Sequence, residues 1–208
     1  ATPARVLANY ASVLGDRRAM GFIAAASMSF AGLFAFVTAS PFLYLEHFAL
    51  TPSLYPLVFG VNVVAMVAAN RLNIRLLRWR TPLQNLRLGL GIQLTAATGL
   101  ALVMASGLAS LVTMVPLIML FAGTIGLIAP NAITSLLDRF HHMSATAAAL
   151  QGSLQFSCGA LAGVLVGAFE VDSAWPMVGT MLGTALLANL GNRLLVGPAE
   201  SAEPAESP

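Results

Sequence analysis

The chain has 208 residues, of which 58% are hydrophobic and only 9% are charged, and its mean hydropathy is +0.83. A soluble domain carries about 25% charged residues, so this composition excludes a soluble globular fold and makes lipid the solvent. The net charge of +2 excludes little, because the position of the charges matters more than their sum. In hydrocarbon, backbone N–H and C=O groups find hydrogen-bond partners only within the protein itself. The membrane-spanning segments are therefore predicted to be helices, and the fold is predicted to be all-α.

The chain begins with a short polar stretch, residues 1–18, which is predicted to be a cytoplasmic linker. A helix lying on the membrane surface is an equally good interpretation, because Val6, Tyr10, Val13 and Leu14 then share one face. The two alternatives stay open at this point.

Segments that are long and apolar enough to cross a bilayer follow. The predicted spans occupy residues 19–45 and 48–70, two spans within 88–137, then 143–169 and 173–192, so that the bundle covers 19–196. The segment 88–137 is divided near 106–110, where small and polar residues cluster. Pro130 and Asn131 are interpreted as the inner end of its second span. Residues 197–208 are rich in Pro, Ala and Glu and are predicted to be a disordered cytoplasmic tail.

All ten basic residues are arginines, and all lie on one side of the predicted spans. They precede the first span, cluster between the second and third, and follow the fourth and sixth: Arg5, Arg17, Arg18, Arg71, Arg75, Arg78, Arg80, Arg87, Arg139 and Arg193. The opposite connections hold Glu46, His47, Glu170 and Asp172. The positive-inside rule therefore places both termini in the cytoplasm, in agreement with an even number of spans.

Small residues recur at every fourth position along the fifth span. Gly159, Gly163 and Gly167 form this series, and Gly152 lies near the same stripe. Such a stripe lets another helix approach closely, so a packing role is favoured over ligand binding.

Two amides on the same span, Gln151 and Gln155, are four residues apart and share a face about 80° from the glycine stripe. Amides at membrane depth face protein or water and not lipid. They are interpreted either as the lining of a cavity or as interhelical hydrogen-bonding groups. In the first span, Phe34 and Thr38 recur at helical spacing, which suits either an amphiphile pocket or packing.

Ionisable groups are absent from the centre of every predicted span, so a proton or ion relay is not self-contained in this chain. His47, His141 and His142 lie at loops, which favours solvated side chains over a metal site. The sequence has no nucleotide-binding, metalloprotease or serine-hydrolase motif. We therefore expect no metal, no cofactor, no nucleic-acid partner and no enzymatic activity.

Four strings now indicate a family: FVTASPFLYLEHFALTP (36–52), LVFGVNVVAMVAANRLNIRLL (57–77), APNAI (129–133) and SATAAALQGSLQFSCGALAG (144–163). They resemble the Bcr/CflA family of bacterial drug-resistance exporters, within the major facilitator superfamily. The similarity extends from about Arg5 to Leu195. The SPF string with E-H-F and the ALQG-x-x-Q-F string are its most specific parts.

The resemblance implies a twelve-helix transporter in two six-helix halves, of which this chain is similar to the second. It implies export of small drugs or metabolites in exchange for protons, with the main coupling charges in the missing first half. It places a central cavity along the first, second, fourth and fifth spans, and the candidate cavity residues are then Phe34, Thr38, Asn62, Gln151 and Gln155.

One cytoplasmic loop departs from the superfamily pattern of Gly, Asp and basic residues. Here it reads NRLNIRLLRWRTP (70–82), which keeps Arg71, Arg75, Arg78 and Arg80 but has neither Gly nor Asp. The departure weakens a gating role for this loop and leaves the family resemblance in place.

The hypothesis is therefore the second half of a proton-coupled exporter in a bacterial inner membrane. Its partners would be the lipid bilayer, a small-molecule drug or metabolite, and the missing half or a second copy. The alternative is a self-contained six-helix membrane protein that dimerises as a pore, carrier or scaffold.

Overall fold

A computed structural model describes residues 3–169 and 173–197. Within these ranges every regular element is helical, which confirms the predicted all-α fold. The helices are α1 (Pro3–Gly15), α2 (Arg17–Pro41), α3 (Tyr55–Leu76), α4 (Pro82–Ala105), α5 (Leu111–Gly123), α6 (Ile125–Arg139), α7 (Ser144–Gly167) and α8 (Trp175–Val196). A π-helix (Phe42–His47) continues α2 beyond Pro41, and a 3₁₀ turn (His141–Met143) precedes α7.

Within the described ranges, five helical segments are long and apolar enough to cross a membrane: Arg17–His47, Tyr55–Leu76, Pro82–Ala105, Leu111–Arg139 and His141–Gly167. The sixth predicted span is the helix α8, which is 22 residues long and packs against α2 and α4. Polar side chains near its end, Asn189, Asn192 and Arg193, lower its hydropathy. Asn189 and Asn192 are directed into the bundle, and Arg193 lies near the C-terminal end of α8, so α8 has the length of a span without a uniformly apolar sequence.

The second span is displaced from its predicted position of 48–70. Ala49 has a left-handed backbone, with φ of 49°, and Pro56 lies in the first turn of α3, so the helix begins at Tyr55. Proline is well tolerated there because its missing N–H has no helical partner in any case. At the other end Arg71 and Arg75 terminate the apolar stretch but not the helix, since arginine is a good helix former.

The prediction that Pro130 and Asn131 end the fourth span is wrong, because α6 continues to Arg139. A proline inside a helix removes one hydrogen bond and crowds the carbonyl four residues earlier. That residue is Gly126, which has no side chain to add to the crowding. The break lies instead at Thr124, between α5 and α6, where the hydroxyl donates to the Phe121 carbonyl at 2.6 Å.

The helix α2 is the centre of the bundle and packs against α6, α7 and α8. Of its apolar stretch 61% is buried, compared with 11% of that of α3, so α3 presents most of its surface outward. One core cluster, around Phe36, Tyr44 and Phe121, fills the half of the bundle nearer the π-helix. A second cluster, around Ile23 and Leu136, fills the half that carries the arginines.

The predicted linker is helical from Pro3 to Gly15, and Val13 is fully buried against the bundle. Leu7 and Leu14 are exposed, so α1 has an apolar side that the described chain does not cover. Whether this side lies on a membrane surface stays a prediction. Of the predicted tail only Gly197 falls within the described residues, and residues 198–208 lie outside them.

Candidate functional site

The helices α2 and α7 come close together at two of the predicted packing glycines. A Cβ atom built on Gly159 would lie 3.2 Å from Cγ of Phe34 and 3.3 Å from the ring of Phe30. One built on Gly163 would lie 3.0 Å from the hydroxyl oxygen of Thr38. Because glycine has no side chain, the aromatic rings of α2 rest directly on the backbone of α7.

The other two glycines of the series have no close neighbour. A Cβ atom added at Gly152 or Gly167 would meet no atom within 4 Å in the described part of the chain. The packing role of these two residues therefore stays a prediction, and it requires a helix that is not among those described.

Aromatic rings surround the contact between α2 and α7. Phe30 lies 4.7 Å from Phe34 and 5.2 Å from Phe156 between ring centroids, and the second pair is edge-to-face. Phe156 is 63% exposed. Thr38 is also exposed, and its hydroxyl makes no hydrogen bond to the described residues. We refer to Phe30, Phe34, Thr38, Gln155 and Phe156 as the α2–α7 face.

Two of these residues, Phe30 and Phe156, were not among the sequence candidates. Phe30 lies four residues before Phe34, and Phe156 directly follows Gln155. The spacing of four in α2 is a usable signal, because it places both rings on one side of the helix. Nothing in the sequence indicates that Phe156 would meet them from another helix.

The two glutamines differ in their surroundings. Gln155 is partly buried on α7 and makes no hydrogen bond to the described residues. Gln151 is only 5% exposed, and its Oε1 atom has no hydrogen-bond partner among the described residues. An unpaired buried amide is costly, so a partner outside the described chain, such as a water or a bound molecule, would stabilise it. A cavity role for both side chains stays a prediction.

Asn62 lies apart from the other four candidates. It is buried on α3 and donates to the carbonyls of Val58 at 3.4 Å and Phe59 at 3.2 Å. Phe59 stacks on Phe36 at 5.9 Å. Phe36 and Phe34 are two residues apart, about 200° around the axis of α2, so they are on opposite sides of that helix. The structure therefore does not bring Asn62 to the α2–α7 face.

Three buried asparagines connect α3, α4 and α6. The Oδ1 atom of Asn73 accepts hydrogen bonds from Nδ2 of Asn85 at 3.0 Å and from Nδ2 of Asn131 at 2.6 Å. Asn131 also donates to the Leu127 carbonyl at 2.6 Å. All three side chains are almost wholly buried, with relative exposures of 2%, 0% and 1%. We refer to them as the asparagine cluster; Asn73 and Asn85 were not singled out in the sequence.

Two curated proteins are similar to most of this chain. The Bicyclomycin resistance protein homolog of Haemophilus influenzae is 34% identical over 182 residues, which are 83% of this chain and 43% of that protein. The Uncharacterized MFS-type transporter YdgK of Bacillus subtilis is 29% identical over 179 residues, 86% of this chain and 44% of that protein. The chain is a homologue of major facilitator transporters. The resemblance predicted from its sequence is confirmed.

The chain spans less than half the length of these curated relatives. No protein-family model matches it. No solved structure matches it either.

The basic segment of this transporter homologue is only partly a loop. Arg71 and Arg75 lie in the last turns of α3, contrary to the prediction, whereas Arg78 and Arg80 lie in the connection that follows. All four are exposed, and none of them forms an ion pair or a hydrogen bond with the described residues. Their charge is therefore uncompensated within the described chain.

Asp16 connects the N-terminal end of α2 with the C-terminal end of α6. Its Oδ1 atom accepts the Ala19 N–H at 2.8 Å as an N-cap of α2, and its Oδ2 atom lies 2.6 Å from Nη2 of Arg139. Partial burial raises the pKa of Asp16, but the hydrogen bonds from Arg139 and Ala19 and the Arg139 charge outweigh it. The pKa therefore lies below its ordinary value.

Two substitutions at Asp16 separate the cap from the ion pair. Asp16→Asn keeps a cap oxygen and is expected to cost under ~1 kcal/mol, because the pair with Arg139 is partly exposed. Asp16→Ala loses the cap as well and is expected to cost about 1 kcal/mol more. Thermal unfolding of the two variants measures this difference. Equal unfolding temperatures would show that the cap contributes nothing.

A depressed pKa also sets the pH dependence of this contact. The ionised Asp16 side chain contributes its full stabilisation at pH values above the pKa that it has in the unfolded chain. This contribution is lost as the pH falls through the lower pKa that Asp16 has in the folded protein. Wild type should therefore lose its advantage over Asp16→Asn only below about pH 4. An advantage that disappeared already between pH 6 and pH 5, as measured by unfolding, would contradict this assignment.

Proposed function

We propose that this chain is the second six-helix half of a proton-coupled exporter of drugs or small metabolites, which carries out no enzymatic step. The observation that carries the proposal is the α2–α7 face. It combines aromatic rings, a free hydroxyl and an amide in segments long and apolar enough to cross a membrane. The name of the Haemophilus influenzae relative, a bicyclomycin resistance protein homolog, supports a small-molecule substrate.

An amphiphilic substrate matches this face chemically. The rings of Phe30, Phe34 and Phe156 offer apolar surface and edge-to-face contacts, which suit flat or branched apolar groups. The Thr38 hydroxyl and the Gln155 amide then hydrogen-bond its polar part. Neither group changes its charge near neutral pH, so the face orients the substrate without carrying its proton.

The proton carrier is expected in the other half. Within the described spans, acidic side chains occur only at the ends, at Glu46 and Asp138. Proton relays in membranes normally use acidic or histidine side chains inside a span. The proposal therefore assigns substrate recognition to both halves and coupling to the partner half.

Outward-facing apolar residues of α7 are suited to contact that half. Leu161 and Val164 on α7 are each more than half exposed. Substrate then binds near the membrane midplane between the halves, which rock against each other about that site. The arginine distribution supports cytoplasmic termini and a location in the bacterial inner membrane.

Gln155→Ala is expected to change which drugs the full-length exporter transports while leaving proton exchange intact. The substitution removes a hydrogen bond to the polar part of some substrates and leaves the rings in place. Drug resistance and proton flux should be measured in the same variant. Ser153→Ala is the matched control, because Ser153 is exposed on α7 about 160° away from Gln155.

Two outcomes would contradict this assignment. If resistance to every drug is unchanged, Gln155 is a packing residue. If all transport and proton exchange are lost at a normal protein level, Gln155 belongs to the coupling machinery.

The coding sequence upstream of Ala1 tests the division into halves. Six further apolar spans are expected there. A start codon immediately before Ala1 would support instead the self-contained six-helix protein that dimerises.

A further inference from the structure

An apolar groove opens between α3, α4 and α5, away from the α2–α7 face. Its volume is about 460 Å³, and its walls include Ala65, Ala68 and Leu72 of α3, Leu88 and Ile92 of α4, and Met119 of α5. Ala68 and Leu72 are exposed, so the groove is open along the side of the bundle at membrane depth. Small alanine side chains on α3 leave the space that larger residues would fill.

The inner end of this groove is cationic. Leu72 is the last α3 residue in its wall, and Arg75 lies three residues further, about 4.5 Å along the axis toward the cytoplasmic side. Trp79 follows one turn later and is 79% exposed, which is typical of a residue at the membrane interface. The helix α4 begins nearby at Pro82, and the positive end of its dipole has the same sign as Arg75.

This positive charge has no acidic partner among the residues that the structure describes. Between Glu46 and Asp138 the sequence contains five arginines and no acidic residue. Arg87 is directed toward α8, where it donates to Asn192 at 3.3 Å. The remaining four arginines, Arg71, Arg75, Arg78 and Arg80, are available to an external anion.

We propose that the groove holds an acyl chain of an anionic phospholipid from the inner leaflet, with its phosphate bound by Arg75. The lining is apolar over the depth of the groove, as an acyl chain requires, and the guanidinium matches phosphate geometry at its mouth. Basic pockets between membrane helices on the cytoplasmic side are known to recognise lipid head groups.

A second copy of this chain is a poorer occupant. A symmetric contact places the same patch of each copy against its equivalent. Arg75 and its neighbours would then face the arginines of the other copy, and like charges in contact repel. An anionic lipid, in contrast, brings a negative charge to these arginines and causes no such repulsion.

Native mass spectrometry of the full-length protein, as its gene encodes it, tests the head group. Phosphatidylglycerol and phosphatidylcholine with identical acyl chains are the probes. Wild type should retain phosphatidylglycerol preferentially, and Arg75→Gln should weaken that binding about fivefold without changing phosphatidylcholine. Arg193→Gln, which removes an exposed arginine on α8, is the matched control and should leave the preference unchanged. Equal losses in both variants would show a general surface charge effect and overturn the proposal.

A second pair of variants tests the acyl site. Ala68→Phe fills the groove and should reduce retention of both lipids, whereas Val67→Phe, beside it but outside the groove wall, should not. Thermal unfolding of each variant before the binding measurement confirms that it is folded. Unchanged retention in a folded Ala68→Phe variant overturns the proposal. Displacement of the lipid by a transported drug, or a retained mass equal to a second copy, would assign the groove to that occupant.

Discussion

Replacing Gly126 with alanine is expected to remove a large part of the stability of this bundle. A Cβ atom at this position would lie 2.5 Å from the carbonyl oxygen of Met66 and 2.8 Å from the backbone nitrogen of Asn70. Both are backbone atoms of α3, so no rotamer change can relieve the overlap and α3 must move away from α6. Overpacking of this kind costs roughly 1–3 kcal/mol. Native domains have only about 5–15 kcal/mol of stability in total.

Thermal unfolding of the purified protein in detergent measures this loss. Gly91→Ala is the matched control, because Gly91 lies inside α4 and an added Cβ meets no described atom within 4 Å. That variant should be neutral or gain about 0.5–1 kcal/mol from the better helix former. An unchanged unfolding temperature for Gly126→Ala would show that α3 and α6 are not as close as the structure places them.

The same criterion predicts how much stability is lost when another glycine at a helix contact is replaced by alanine. At Gly32 an added Cβ would meet the Thr184 hydroxyl at 2.6 Å and the tip of Phe121 at 2.7 Å, which are both side-chain atoms. Side chains can shift where backbone cannot, so Gly32→Ala is expected to cost less than Gly126→Ala.

The second large effect is expected at the asparagine cluster. Asn73→Leu removes the Oδ1 atom that accepts from both Asn85 and Asn131. Asn131 keeps its bond to the Leu127 carbonyl, but Asn85 is left with no hydrogen bond from its side chain. Interhelical hydrogen bonds in membranes contribute about 0.6–1.7 kcal/mol, and an unpaired buried donor costs ~1–3 kcal/mol. We expect a loss of about 1–3 kcal/mol and weaker association of α3 with α4.

A double-mutant cycle is the control for this prediction. Asn85→Leu removes the donor, and Asn73→Leu with Asn85→Leu removes both partners of that bond. Replacing both partners by apolar groups costs less than leaving one unpaired, so the double variant should be more stable than the sum of the single losses predicts. Strict additivity of the three unfolding free energies would contradict a direct bond between these side chains.

Properties of single segments were predictable from the sequence. The first predicted span, 19–45, corresponds to the helical segment Arg17–His47, because the length of an apolar run and the absence of charge decide whether it crosses lipid. The break at 106–110 is also a local feature, and it has the expected counterpart in the structure between α4 and α5. Family strings in the same segments were sufficient to indicate homology to major facilitator transporters.

Helix boundaries were less predictable where charge and helix propensity disagree. Arg71 and Arg75 end the apolar run that defines the second span, yet both remain in α3, because arginine favours a helix even where it disfavours lipid. Pro130 was predicted to end a helix because proline disfavours a helix interior, although it lies in an apolar segment. The destabilisation that proline causes depends on the residue four positions earlier. That residue is Gly126, and the destabilisation is small enough for α6 to continue.

Contacts between distant segments were decided only by tertiary structure. Asn73 and Asn131 are 58 residues apart, and nothing in either local sequence indicates that their side chains meet. The local sequence likewise does not indicate where Asn62 lies. It was a candidate cavity residue, but the structure places it on the opposite side of α2 from Phe34. A helical repeat determines which residues share a face, whereas the rotation of each helix about its axis determines what that face meets. That rotation is set by packing against all neighbours at once, and it exists only in the folded bundle.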